Sequence, residues 1–153
     1  MIIIYTDGSS RGNPGPGGYG TVLKYKEHRK ELSEGFRKTT NNRMELLAVI
    51  SGLEAINVPN APVTVYSDSK YVIDSVDKGW LWGWMKKGFK GKKNKDLWLR
   101  FAEIYKKHRV TFQWVKGHAG NIENERCDEL AVEAALGGNL QVDHEFENGI
   151  NDF

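Results

Sequence analysis

The feature that most constrains this chain is a pattern written twice. Ile2-Ile3-Ile4-Tyr5 is a run of β-branched and aromatic residues that ends in Thr6-Asp7-Gly8-Ser9-Ser10. Val63-Thr64-Val65-Tyr66 is a second such run, ending in Ser67-Asp68-Ser69. Short runs of this composition read as buried strands. Each delivers a carboxylate to the edge of an apolar strand, where a buried charge needs a partner. An isolated Asp-Gly step also caps turns, so Asp7 alone carries little. A helical segment lies between the two strands, which implies a parallel crossover and puts Asp7 and Asp68 side by side. Sites in open α/β sheets form at that edge. Two adjacent carboxylates repel unless one is protonated or a cation bridges them.

The sequence around these strands gives the remaining elements. Gly15, Gly17 and Gly20 match G-x-G-x-x-G, but that fingerprint must open a helix. Here two prolines interrupt the loop, and Tyr19 to Lys26 alternates like a strand. With a strand at 30–37, residues 1–37 read as an antiparallel meander joined near Glu27-His28. Thr39-Thr40-Asn41-Asn42 caps a helix expected at 42–57, with Met44, Leu47, Ala48, Ile50, Leu53 and Ile56 on its apolar side. Glu45 falls among them; a first-turn Glu suits the helix dipole, yet its place beside the packing face leaves room for another role. Residues 69–78 read as a short helix. A longer one at 95–107 buries Leu97, Trp98, Phe101, Ile104 and Tyr105, and the last strand spans 110–115. His118 lies in the glycine-flanked loop that follows. A helix at 123–136 carries Asp128 beside Cys127, Leu130 and Ala131, and Gly137-Gly138 ends it.

Residues 79–95, GWLWGWMKKGFKGKKNK, combine Trp80, Trp82, Trp84 and Phe89 with Lys86, Lys87, Lys90, Lys92, Lys93 and Lys95, and contain no acid. A lysine run is usually a solvated face and tryptophans are usually core. Together in one loop they suggest a surface for a nucleic-acid backbone. The net charge of +2 conceals the same bias: four of the 20 acids lie in residues 139–153, which hold no Lys or Arg, so residues 1–138 carry +6. A basic body with an acidic end favours an anionic partner. The length of 153 residues suits one domain. One cysteine excludes an internal disulfide and suits a reducing compartment. No apolar run approaches a membrane span, and no signal-peptide pattern opens the chain, so a cytoplasmic location is expected.

Four acids in apolar settings thus compete for one site: Asp7, Glu45, Asp68 and Asp128. No Cys/His cluster suits zinc. Carboxylate oxygens with waters suit Mg²⁺ or Mn²⁺, and two such ions can clamp a phosphodiester. Serines flank the acids in no nucleophile-elbow pattern.

The stretches YTDGSSRGNPGPGGYG (5–20), TTNNRMEL (39–46), YSDSKYV (66–72), NKDLW (94–98) and WVKGHAGNIENERCDELA (114–131) resemble those of bacterial type 1 ribonucleases H nearly end to end. The resemblance implies a ribonuclease H-like α/β fold: a mixed five-stranded sheet, three strands antiparallel and two parallel, with helices on both faces. It implies an endonuclease that hydrolyses the RNA strand of RNA–DNA hybrids with two Mg²⁺ ions, leaving 5′-phosphate and 3′-hydroxyl ends. It assigns metal binding to Asp7, Glu45, Asp68 and Asp128, and product release or proton transfer to His118. Hybrid contacts fall on Asn13, Asn41 and Asn42, and a DNA-strand phosphate pocket on Thr40 and Asn94, with Lys38 beside it. Tyr71 and Trp80 resemble the aromatics of the DNA-strand channel. Lys86, Lys87 and Lys90 belong to a basic handle, which is shorter between Phe89 and Asn94 than in well-known members.

Two other readings stand beside this one. A superfamily member acting on DNA strands, as integrases do, is disfavoured by chain size and the complete TTNNRMEL match. A silent hybrid-binding module is disfavoured by four intact acids. Residues 1–138 are expected to form the catalytic domain of a monomer. Residues 139–153 are expected to be a flexible acidic tail, or else to dock their acids and Phe153 on a basic surface such as the handle.

Overall fold

The structure, a computed structural model, describes residues 1–116 and 120–149. At its centre is β1 (Ile2–Ser10), between β2 (Gly15–Tyr25) and β4 (Pro62–Ser67). With β3 (His28–Thr39) and β5 (Arg109–Trp114) the sheet runs in the order β3-β2-β1-β4-β5. The first three strands pair antiparallel, whereas β1/β4 and β4/β5 are parallel. Hairpins join the antiparallel strands; parallel ones need crossovers. Here α1 (Asn41–Glu54) precedes β4, while α2 (Lys70–Asp77), α3 (Trp80–Lys86) and α4 (Lys95–Tyr105) separate β4 from β5. Then come α5 (Ile122–Leu136) and a single turn, α6 (His144–Glu147). The mixed sheet expected from the sequence is the one that forms.

Strand side chains alternate between faces, and this divides the interior. Ile4 and Tyr19 join Met44, Ala48 and Ile50 of α1, and Trp98 and Phe101 of α4, in the main core. Their neighbours Tyr5 and Val22 fall instead with Cys127 and Leu130 of α5. So α1 and α5 cover opposite faces of the same strands. Most apolar burial lies on the α1 side, where truncating a fully buried residue such as Trp98 or Phe101 to Ala would cost about 3–5 kcal/mol.

Four local expectations are corrected. Residues 15–18, read as loop from their glycines, belong to β2. Gly20 shows why glycine belongs in this strand: a Cβ there would sit 2.2 Å from the carbonyl oxygen of Cys127, because α5 lies directly on the strand backbone. The segment after Gly79 opens as helix α3, and Leu81 and Phe89 are buried rather than offered to a ligand. Helix α1 starts at Asn41, with the Thr40 hydroxyl accepting from the Arg43 N–H at 3.3 Å. Glu45 is therefore past the first turn, and a dipole role does not account for it.

The largest departure is the C-terminal segment. In place of a flexible acidic tail, residues 139–149 pack on β3 and α1. Gln141 bridges the backbone beside Phe36, Glu147 pairs with Arg37 at 2.8 Å, and Asp143 is 8% exposed. The anchor is Arg43, 1% exposed, whose guanidinium donates to both oxygens of Asp143. The docking partner is therefore α1 and β3, not the handle; Phe153 lies outside the described residues.

Candidate active site

Pairing between β1 and β4 stops at Tyr5 opposite Tyr66. The Thr6 hydroxyl donates to the Tyr66 carbonyl at 2.9 Å and holds the strands together one residue further. Asp7 and Asp68 each lie two residues beyond that last pair. On the far side of β4, the Trp114 indole N–H donates to the Asp68 carbonyl at 3.3 Å and ties β5 to the same edge.

Glu45 arrives from the α1 face. A Cβ on Gly8 would lie 2.3 Å from the Glu45 backbone nitrogen, so only glycine lets the helix come this close to β1. The Gly8 N–H donates to Asp7 Oδ1 at 2.9 Å and also to Glu45 Oε1. One carboxylate oxygen from each of Asp7, Glu45 and Asp68 falls within 4.8 Å of the others. Two unit charges at that separation repel by about 3 kcal/mol at an effective dielectric near 20.

The titrations follow. Burial first, then the negative charges of Asp68 and Asp128, push the Asp7 carboxyl up to about 7, against hydrogen bonds with Glu45 and Gly8. Glu45 is held well above the carboxylate range by burial and by the charges of Asp7 and Asp68. The charges acting on both groups are negative. Asp68 Oδ1 is buried with no hydrogen-bond partner. An oxygen-only donor set with one orphaned oxygen fits a hard divalent cation. Asp128 comes from α5 on the other face, half-buried, and its charge reaches Asp7. His118 lies outside the described residues.

A second feature lies along α1. Asn42, Tyr71, Trp80, Lys92, Lys93 and Asn94 line a cleft of about 390 Å³. Asn13 Oδ1 accepts from the Asn41 N–H at 3.1 Å, bracing the start of the helix, and Glu45 follows one turn later. Thr40 caps the helix, and Lys38 is exposed beside it. Lys86, at the end of α3, and Lys87 and Lys90 just after it are exposed, while the cleft itself takes Lys92 and Lys93. Sequence reading counted those two lysines only as part of the run; their nearness to Asn94 was the available signal.

Residues 1–136 match the family model for RNase H. The chain belongs to the ribonuclease H family. The ribonuclease H of Rippkaea orientalis is 53% identical over 152 residues, 96% of this chain and 93% of the relative. That of Desulforamulus reducens is 56% identical over 147 residues, 93% and 92%. Among solved structures, LC9-RNase H1, a type 1 RNase H with the type 2 active-site motif, is 32% identical with a TM-score of 0.79, over 90% of this chain and 73% of that one. LC11-RNase H1 in complex with an RNA/DNA hybrid is 30% identical with a TM-score of 0.64, over 88% and 96%. The ribonuclease H family consists of divalent-metal-dependent hydrolases acting on the RNA strand of RNA–DNA hybrids. Among the described residues, no helix is long and apolar enough to cross a membrane.

Proposed function

We propose that this chain is an endonuclease that hydrolyses the RNA strand of RNA–DNA hybrids, leaving 5′-phosphate and 3′-hydroxyl ends, and that it serves in removing RNA primers and R-loops. The observation that carries the proposal is the convergence of Asp7, Glu45 and Asp68 at one sheet edge, in a chain of this family. These three, with Asp128 beside Asp7, would hold Mg²⁺, two ions with substrate, or Mn²⁺. Bound there, the ions would activate a water for in-line attack on phosphorus and neutralise charge on the departing 3′-oxygen.

The protein's own part is preorganisation. The Gly8 amide holds the Asp7 and Glu45 carboxylates against each other, and the Trp114 indole fixes the Asp68 backbone. Asn13, Asn41 and Asn42 would meet the hybrid near the scissile bond, where 2′-hydroxyls distinguish RNA from DNA. Thr40 and Asn94, with Lys38 near them, would take a DNA-strand phosphate. Tyr71 and Trp80 would line the DNA channel, and Lys86, Lys87 and Lys90 would neutralise phosphates further along. His118 is assigned proton transfer or product release. Residues 1–138 form the catalytic unit on this reading, working as a cytoplasmic monomer.

A gel assay on a labelled RNA–DNA hybrid tests the proposal, with single-stranded RNA and duplex DNA as controls. Mg²⁺-dependent cleavage of the hybrid's RNA strand alone is expected. Comparable cleavage of duplex DNA, or none of the hybrid, would refute it.

A further inference from the structure

The Arg43 guanidinium has five N–H donors, and five hydrogen bonds leave it. Nε donates to Asp143 Oδ2 at 2.7 Å and Nη2 to Asp143 Oδ1 at 2.9 Å. Nη1 and Nη2 donate to the two oxygens of Asp96 at 2.9 and 2.7 Å. The remaining bond runs from Nη1 to Asn94 Oδ1 at 3.3 Å. Because the guanidinium only donates, it dictates which way the Asn94 amide faces: oxygen toward Arg43, NH₂ away. That NH₂ donates to the Tyr71 hydroxyl at 3.0 Å, which also accepts from the Trp98 indole at 2.9 Å. An amide carries two N–H donors and this bond takes one. Asn94 and Tyr71 both line the cleft that holds Lys92 and Lys93.

Asp143 also accepts from the Thr39 hydroxyl at 2.8 Å, and Thr39 immediately precedes Thr40. One carboxylate of the C-terminal segment therefore braces two residues, Thr40 through its chain neighbour and Asn94 through Arg43. Loss of its charge would weaken the contacts that fix the Arg43 plane, and the Asn94 amide would lose its fixed direction. We propose that Asp143 is a positioning residue for binding of a DNA-strand phosphate by Thr40 and Asn94. The proposal rests on the reading of those two residues given above.

The test is steady-state kinetics of Asp143→Asn on the hybrid, well below its melting temperature. KM should rise about 3- to 10-fold, the range spanned by one weakened charge-assisted contact, with kcat within about twofold. Asp143→Glu should recover part of the loss. Adding Asp143→Asn to Asn94→Ala should raise KM by less than the two separate effects combined, because the Asn94 route is already lost and only the Thr39–Thr40 route remains. A lowered melting temperature with KM unchanged, or additive KM effects in the double variant, would overturn the proposal. If Asp143→Asn does not fold, Thr39→Val keeps the ion pairs and is read the same way: a KM increase of about twofold supports it, and no increase refutes it. Wild-type protein that fails to cleave the hybrid would instead refute the activity itself.

Discussion

Two groups of acids, in each of which one member is half-buried, flank the first turns of α1, and they are treated in opposite ways. Asp96 and Asp143 surround Arg43, which spends all its donors on them and on Asn94. Asp7, Glu45 and Asp68 surround one another, and the charges that act on Asp7 and Glu45 are negative. The first group is complete without a ligand. The second is not: crowding among the acids raises the Asp7 and Glu45 carboxyls out of the carboxylate range, a penalty that a bound cation would relieve. Uncompensated charge marks the site, and compensated charge marks the frame that holds it.

The sharpest way to break this contrast is Asp7→Asn. Turnover on the hybrid should fall by about 10³-fold or more, since the cation's contribution is several kcal/mol. The melting temperature of the metal-free protein should rise, because repulsion is relieved. Calorimetry alongside single-turnover kinetics checks both; a fall in stability would make Asp7 structural. The mirror experiment is Arg43→Met. Removing the one base from a buried cluster leaves Asp96 and Asp143 facing each other, so urea unfolding should show a loss of about 3–5 kcal/mol. A cost under about 1 kcal/mol would erase the distinction between the groups.

Acidity separates them next. Asp7 titrates near 7 in the folded protein and near 4 when unfolded. Between those values the folded state binds more protons, so the stability Asp7 contributes is fully present below about pH 4 and is lost as pH rises through about 7. Glu45 acts in the same direction. Metal-free protein should therefore melt lower at pH 8 than at pH 5.5, and Asp7→Asn should flatten that difference; a wild-type profile flat over this range would contradict the assignment. A smaller effect is expected from the cleft. Lys92→Ala with Lys93→Ala should reduce the slope of log KM against log salt by about 1–2, as read from KM at several salt concentrations. The smallest belongs to the exposed Arg37–Glu147 pair, where Arg37→Ala should leave the urea unfolding midpoint nearly unchanged.

The first group was hidden in the sequence and the second was not, for a physical reason. Asp7 and Asp68 end apolar runs, so the chain's own alternation exposes them as misplaced. Glu45 interrupts a helical apolar face in the same way. Asp143 sits in a segment with no period, and its partner is 100 residues away, so local pattern carries no trace of the contact. Composition also misled where backbone contacts decide. The glycines of 15–18 look like a loop, yet the strand needs glycine where α5 lies on it, as at Gly18 against the Ala131 carbonyl. The lysine and tryptophan run looks like one binding loop, yet α3 and the buried Phe89 anchor it to the core. The β1–β4 pairing and the meeting of Asp7 with Asp68 were legible because both follow from two parallel strands ending in the same pattern.

Titration calorimetry of Mg²⁺ into the free protein at pH 7, in two buffers of different ionisation heat, tests the uncompensated cluster most directly. Wild-type protein should bind the ion and release protons, because the Asp7 and Glu45 carboxyls are both raised above the carboxylate range, and Asp7→Asn should lose most of both. Binding with no proton release, or binding of equal strength in Asp7→Asn, would contradict the account.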